Sequence, residues 1–167
     1  MEPVYKTCVP REEVLEGRLQ EDIFAAKLGD VIRGEAPGVY SDPELFFKNT
    51  YPTGGLKTFL QEVFGRLGSG EGSPFLRLET SFGGGKTHNL IAAYHVATGG
   101  ASIPGLDTFL SPDVVPDEEV NVAALVGQEL DPNNGVQHGD VTTYTLWGEM
   151  AYQLGGADAY KLVEKSD

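Results

Sequence analysis

The stretch Glu79-Thr80-Ser81-Phe82-Gly83-Gly84-Gly85-Lys86-Thr87 decides the fold that this chain is predicted to have. Residues 75–78 before it form a short apolar run typical of a strand, and residues 88–97 after it have a helical pattern. A strand, a glycine-rich turn, a Lys-Thr pair and a helix make up the context of a phosphate-binding loop (P-loop, or Walker A motif). In such a loop, backbone N–H groups and the positive end of the helix attract phosphate. The sequence therefore predicts an ATP site.

Each position of the loop is a candidate ATP contact. Lys86 is predicted to reach the outer phosphates and to act in catalysis, and Thr87 is predicted to ligate Mg²⁺. The full set of candidate contacts is Thr80, Ser81, Phe82, Gly83, Gly84, Gly85, Lys86, Thr87 and His88. The pattern G-x-x-x-x-G-K-[ST] would have its first glycine where this chain has Thr80. A glycine-rich turn without a ligand, with His88 as a packing residue, is the structural alternative.

The composition narrows the class of protein. The 167 residues include 12 Lys and Arg against 25 Asp and Glu, a net charge of −13, and no Lys or Arg occurs between Lys86 and Lys161. A nucleic-acid surface needs clustered cations, so nucleic acid is expected as an indirect partner at most. A single cysteine excludes an intramolecular disulfide, and neither a signal peptide nor a membrane-length apolar run is visible. The expected location is the cytoplasm.

The pattern of elements predicts an α/β fold. Short helices are expected near residues 10–15 and after Ser41-Asp42-Pro43, followed by amphipathic helices at 56–67 and 142–154. Residues 101–119 carry three prolines and predict an irregular connection, and residues 120–126 resemble a buried parallel strand. The expected fold is a partial P-loop NTPase core of parallel strands flanked by helices and joined by a right-handed crossover. Residues 1–70 are predicted to form a helical and irregular N-terminal segment, and residues 71–167 the incomplete core.

One expected feature of an ATPase is missing from the sequence. P-loop NTPases carry a later apolar strand that ends in Asp or Asp-Glu, which holds Mg²⁺ and the attacking water. No run of four aliphatic residues followed by Asp-Glu occurs here. The prediction is the N-terminal part of a larger ATPase, with a truncated reading frame or a subunit completed by a partner as alternatives.

Several residues outside the loop are candidates for catalysis, nucleotide binding or packing. Glu129 follows the second predicted strand, at the sheet edge where ligands bind, and is the candidate that polarises water. Asp131 could take that role, and a solvated loop pair is the structural alternative. Glu79 is expected to bond loop backbone. Residues 51–53 are candidates to cover an adenine. A segment with apolar Ile23, Phe24, Ala26 and Leu28 is expected to pack against another part of the chain, and Trp147 is expected in the core.

The chain also resembles a known family. The resemblance rests on four segments: Phe46-Phe47-x-x-Thr50-Tyr51-x-Thr53-x-Gly55-Leu56, Arg77 to His88 with Tyr94-His95, Gly127-x-Glu-Leu-Asp131, and Thr145-Leu-Trp-Gly-Glu149 with Tyr152-Gln-Leu-Gly155. These segments are similar to a family of large prokaryotic ATP-binding proteins, a domain of unknown function resembling AAA+ ATPases, often encoded beside DNA methylases in predicted anti-phage loci. The resemblance covers residue 3 to the end and only the start of such a protein. It implies that Thr80 is the family's own form of the loop.

The resulting hypothesis is ATP binding by an ATPase that couples hydrolysis to conformational work. Because residues 87–160 contain no arginine, a transition-state arginine would come from elsewhere, such as the remaining ATPase region, a protein partner or another copy of the chain. The alternative is a nucleotide-responsive binding module that does not hydrolyse ATP. A small-molecule kinase is a weaker option, because no arginine-rich clamp is visible.

Overall fold

A computed structural model describes residues 3, 6, 8–10, 12–17, 26–81 and 83–167. Most of the regular structure among these residues is helical. The α-helices among the described residues are α1 (Glu12–Leu15), α2 (Leu28–Arg33), α3 (Gly38–Ser41), α4 (Pro43–Asn49), α5 (Gly54–Gly68), α6 (Lys86–Gly99) and α7 (Leu146–Val163). A two-stranded sheet, β1 (Val136–His138) and β2 (Val141–Thr143), lies between α6 and α7. Of the residues expected to pack, Ile23 and Phe24 lie outside the described residues, whereas Ala26 and Leu28 pack against the hydrophobic core.

The predicted parallel α/β fold is wrong. The two strands that the structure describes pair antiparallel, with Val136 opposite Thr143 and His138 opposite Val141. The hairpin turn between them is Gly139 and Asp140, and Gly139 takes a φ of +62° that suits glycine. No parallel pair and no crossover are present in the described part of the chain.

Both predicted core strands fail for the same physical reason. Residues 75–78 and 120–126 lie in no helix or strand, because their N–H and C=O groups form no ladder within the described structure. Phe75 is 75% exposed and Leu76 is 36% exposed, so the first segment is not covered either. An apolar run shows which side chains favour burial, whereas a strand also requires a second backbone to pair with.

The helices begin where local chemistry predicts. Asp42 caps α4 by accepting a hydrogen bond from the Leu45 N–H (3.0 Å), and Pro43 takes the first helical position. Thr53 caps α5 in the same way through the Leu56 N–H (3.2 Å). The predictions of helices after Ser41 and across residues 56–67 are therefore confirmed. The irregular connection at 101–119 is also confirmed, with three short 3₁₀ helices at Gly100–Ser102, Leu106–Thr108 and Pro112–Val114.

The hydrophobic core lies where α4, α5 and α6 meet the 3₁₀ connection. Phe64 and Leu60 of α5 and Ile91 of α6 are fully buried. Phe47 of α4 meets Phe109 edge to face, with ring centroids 5.0 Å apart. Each such side chain contributes about 1.5–3 kcal/mol when fully buried. The core contains residues from both sides of position 70. Its contacts with Ile91 hold α6, the helix that follows the glycine loop, against α4 and α5.

The C-terminal region differs from its prediction in two respects. Helix α7 begins at Leu146, capped by Thr145, whereas Thr142 and Thr143, expected in the helix, belong to β2. Trp147, expected in the core, is 66% exposed. Helix α7 is kinked at Gly155–Gly156, and Gly156 has a φ of +65°. None of the described helices is long and apolar enough to cross a membrane.

Candidate functional site

The glycine loop leads directly into the first turn of α6. Gly83 (φ +78°) and Gly85 (φ +75°) take left-handed conformations that favour glycine. Gly85 occupies the N-cap position, and no side chain caps the helix. The Asn89 N–H bonds the Gly85 carbonyl (2.9 Å), so the N–H groups preceding it have no acceptor within the helix. A helix end of this kind attracts anions, and the described residues provide no acceptor for these N–H groups.

Gly84 is needed for space. A Cβ atom at this position would collide with the side chain of Thr80, and the Gly84 N–H donates to the Ser81 carbonyl (3.1 Å). Thr80, which stands where the common pattern has glycine, thus packs directly against the second glycine of the triplet. The three glycines have different structural roles. Gly83 and Gly85 adopt left-handed backbone conformations, and Gly84 leaves room for the Thr80 side chain.

Lys86 folds back over the loop. Its ammonium group donates to the Thr80 carbonyl (2.8 Å), the Thr80 hydroxyl (3.1 Å) and the Ser81 carbonyl (3.2 Å). Gly83, Gly84, Gly85 and Ser81 are exposed, and Thr87 is half-buried in the first turn. Lys86 adjoins the glycine loop in the sequence, and in the structure its ammonium group bonds loop oxygens, which puts a positive charge inside the loop. Phe82 lies outside the described residues.

His88 points away from the loop into the helical packing. Its Nε2 lies 2.8 Å from the Thr50 hydroxyl, and its ring stacks on Phe46 with centroids 4.4 Å apart. The Thr50 hydroxyl itself donates to the Phe46 carbonyl (2.6 Å), so His88 Nε2 is assigned as the donor to Thr50. Burial lowers the pKa of His88 and favours the neutral ring. These contacts support the packing alternative for His88 and join α6 to the end of α4.

Glu129 lies in an ion-pair cluster with residues of α2 and the turn that follows it. Its carboxylate accepts from Arg33 (2.5 Å), which also donates to Asp30 (2.6 Å) and Glu35 (2.8 Å). Hydrogen bonds to Glu129 and Glu35 raise the pKa of Arg33 above its ordinary value. Glu129 lines a cavity of about 710 Å³ together with Tyr94 of α6. Tyr94 lies roughly 12 Å beyond Lys86 along the helix axis at 1.5 Å per residue.

The remaining acidic candidates have local partners. Glu79 forms an ion pair with Arg77, two residues before it. The Asp131 carboxylate accepts from the N–H groups of Asn133 (2.8 Å) and Asn134 (3.3 Å) and from the Asn134 side chain. These bonds, first that from Asn133, lower the pKa of Asp131. This is the solvated loop arrangement considered as its alternative. Tyr51 is 80% exposed, beside Thr50 and hence near the first turn of α6.

Comparison with protein families gives a match over residues 4–167 to the DUF499 N-terminal domain. The chain belongs to the DUF499 N-terminal domain family. The match to this domain includes the glycine loop, Glu129 and all of α7, so the resemblance to a domain of unknown function is confirmed. No curated protein and no solved structure matches the chain.

Two features of this DUF499 N-terminal domain escaped the sequence reasoning. The first is Arg33, which belongs to no sequence motif. Only the folded structure brings this residue of α2 into contact with Glu129. A buried polar cluster around Glu149 was also missed: its carboxylate accepts from His138 (2.7 Å), Thr143 (2.5 Å) and Gln153 (2.7 Å). Burial raises the pKa of Glu149, but these three hydrogen bonds outweigh it and lower the pKa overall. The sequence feature that could have indicated this cluster is the spacing of Glu149 and Gln153, because residues four apart on a helix lie side by side.

Among the described residues, no group of three or more His, Cys, Asp or Glu side chains could hold a metal ion. A Mg²⁺ ion at the loop would thus rely on Thr87 and on phosphate oxygens, as Mg²⁺ sites at phosphates commonly do. The fit of the loop to a nucleotide depends on its donors, which are the glycine-loop amides, the open end of α6 and the Lys86 ammonium.

Proposed function

We propose that residues 80–88 bind ATP with Mg²⁺. One observation carries the proposal: a lysine ammonium lies inside a glycine loop at the uncapped N-terminus of a 14-residue helix. Three sources of positive potential, namely loop amides, the helix end and Lys86, converge on one exposed place. In a chain of net charge −13, such a concentration of donors favours an anionic ligand.

The residues have distinct parts in this proposal. The amides of Gly83 and Gly85 would hold phosphate oxygens, Gly84 would keep its bond to the Ser81 carbonyl, and Thr87 would ligate Mg²⁺. Lys86 would exchange its bonds to neutral oxygens of Thr80 and Ser81 for bonds to phosphate, which are stronger because the acceptor is charged. Bound Mg²⁺ supplies charge neutralisation between the phosphates.

The larger function proposed is an ATPase that couples hydrolysis to conformational work. The contact between His88 and Thr50 supports it, because it ties the first turn of α6 to the end of α4 and gives loop movements a direct route into the helical packing. A catalytic glutamate at position 129 remains part of this proposal and requires a rearrangement that separates it from Arg33. The family resemblance extends the proposal to a subunit or polypeptide working with further ATPase regions, and to anti-phage defence.

A module that binds nucleotide without hydrolysing it is the second candidate. The observation that favours it is the ion pair of Glu129 with Arg33, which occupies the carboxylate proposed to polarise water. In this case ATP would change the loop and α6, and a partner would recognise the change.

Calorimetric titration of the chain with Mg²⁺·ATP tests the shared part of both candidates. Binding is expected, and Lys86→Ala is expected to weaken it about 10- to 100-fold, since a hydrogen bond to a charged group contributes about 1.5–3 kcal/mol. Lys57→Ala is the matched control, because Lys57 is exposed on α5. A folded chain that fails to bind, or equal losses in both variants, would disprove the proposed loop site.

Phosphate release by the full natural polypeptide separates the two candidates. An ATPase should lose turnover with Lys86→Ala and also with Glu129→Gln, while Glu129→Gln retains ATP binding. A binding module should show no turnover above that of the Lys86→Ala variant, with ATP binding intact in the unaltered protein.

A further inference from the structure

The apolar segment at residues 120–126 is half-buried without a matching set of backbone hydrogen bonds. It runs without a turn or bend, and all its residues except Asn121 are partly buried. Two bonds from the described residues reach it: the Ala124 N–H donates to the Gln153 side chain (2.8 Å), and the Val126 carbonyl accepts from the Glu129 N–H (2.9 Å). Buried backbone polar groups are almost always paired in proteins. Toward the described residues, the segment therefore keeps most of the hydrogen-bonding capacity of an open strand.

This segment forms one wall of the 710 Å³ cavity that Glu129 also lines. The lining also includes Arg33 of α2, Tyr94 of α6, and Glu149 and Tyr152 of α7. His138 stacks on Tyr152 with ring centroids 4.0 Å apart, so this part of the cavity lining consists of two stacked aromatic rings. An open backbone edge beside a cavity is the arrangement by which proteins bind extended peptides, since the backbone provides affinity and a pocket provides selectivity.

The charges around the segment define the occupant. Asp117, Glu118 and Glu119 precede it, and Glu129 and Asp131 follow it. The cavity lining contains Glu119, Glu129 and Glu149, whereas its lining arginine, Arg33, is already bound to three carboxylates. No lysine or arginine occurs between residues 86 and 161 to balance these charges. Charge complementarity therefore selects a basic partner.

We propose that residues 120–126 bind an extended, basic strand of a partner protein. The partner's backbone pairs with this segment, and a Lys or Arg side chain enters the cavity lined by Glu129 and Glu149. The lining of the cavity includes no residue of the glycine loop, so the proposal can be tested without nucleotide, and it shares Glu129 with the proposed ATPase. It assigns a protein-interaction role to the region in which the predicted sheet did not form.

Amide hydrogen exchange on the whole chain is the test. Without a partner, the amides of Val120 and Val122 are expected to exchange much faster than those of α5. The probe is a blocked eight-residue peptide of alternating valine and lysine. Binding is expected to slow exchange at these amides by about tenfold or more, equivalent to ~1.4 kcal/mol. A peptide with glutamate in place of lysine, and one with N-methylated valines that cannot pair, are expected to leave exchange unchanged.

Two variants test whether the cavity is the site at which the lysine peptide protects the amides. Glu129→Gln is expected to reduce protection by the lysine peptide, and Glu164→Gln, at an exposed position in the 3₁₀ helix Glu164–Ser166, is expected to preserve it. Protection that is already strong without peptide would overturn the proposal, because the segment would then be paired within the free chain. Equal protection by the N-methylated peptide would overturn it as well, since charge alone would explain the binding. Absence of protection with the lysine peptide would likewise refute it.

Discussion

Helix α5 and residues 120–126 are both apolar stretches, yet they have opposite structural outcomes. Helix α5 buries Leu56, Leu60 and Phe64 and satisfies its backbone through its own i to i−4 hydrogen bonds. Residues 120–126 are only partly buried, and most of their backbone groups pair with no described residue. The difference shows that a helix pairs its backbone within the segment that carries the apolar pattern, whereas a strand depends on a partner that the pattern does not contain.

Paired truncations in these two regions give the largest expected contrast. Phe64→Ala should lower the free energy of unfolding by about 3–5 kcal/mol, because it opens a cavity in the centre of the core. Leu125→Ala should cost about 1 kcal/mol, since its side chain is partly exposed already. Urea unfolding of the full chain measures both. Equal losses would contradict the description of residues 120–126 as weakly packed.

The C-terminal region is expected to depend on buried polar contacts instead of a large apolar core. Glu149→Ala should lower the free energy of unfolding by about 3 kcal/mol, because His138, Thr143 and Gln153 all lose their acceptor. Fluorescence of Trp147, the single tryptophan and a residue of α7, reports on this region. Glu164→Ala, at an exposed position, is the control. A Glu149→Ala protein as stable as that control would show that the polar cluster is dispensable.

Acidification should act first on the helical region. Burial lowers the pKa of both His88 and His95, and His95 Nε2 bonds the Tyr40 carbonyl (2.7 Å). The stability that depends on their neutral rings is complete above the unfolded pKa of about 6.5 and is lost as the pH falls toward their folded values. Each histidine can contribute at most about 1.4 kcal/mol per pH unit.

Urea unfolding at pH 7.5 and pH 5.5 measures this effect. His95→Gln should show a smaller loss of stability between the two pH values than the unaltered chain. The acidic groups with lowered pKa values, such as Glu149 and Asp167, titrate below this window and do not mask it. A pH dependence that is unchanged in His95→Gln would exclude His95 as its source.

The smallest expected effect concerns the cap of α5. Thr53→Ala removes the acceptor for the Leu56 N–H and should cost about 1 kcal/mol. Thr58→Ala, at an exposed position inside the same helix, should be neutral or slightly stabilising because alanine has the highest helix propensity. Thermal unfolding of the two variants compares them directly. Matching shifts in both would show that α5 is held by its core contacts and not by its cap.

Much of the helical structure could be predicted because its signals are local. Asp42 with Pro43 marked the start of α4, and the spacing of Phe59, Leu60 and Phe64 marked the buried face of α5. The glycine loop and Lys86 were also recognised from neighbouring residues, and the structure places them together. The position of Glu129 beside Arg33 could not be predicted, since 96 residues separate the two and no motif joins them.

The sequence by itself determined the helix caps, the apolar faces of the helices, the glycine loop ahead of α6 and the acidic character of the second half. These properties depend on interactions over a few residues or on composition. Only the tertiary structure decided that residues 75–78 and 120–126 form no parallel sheet, that His88 packs on Phe46, and that Trp147 is exposed. The physical reason is that strand pairing and side-chain contact depend on segments distant along the chain, whereas a helix completes its hydrogen bonds within itself.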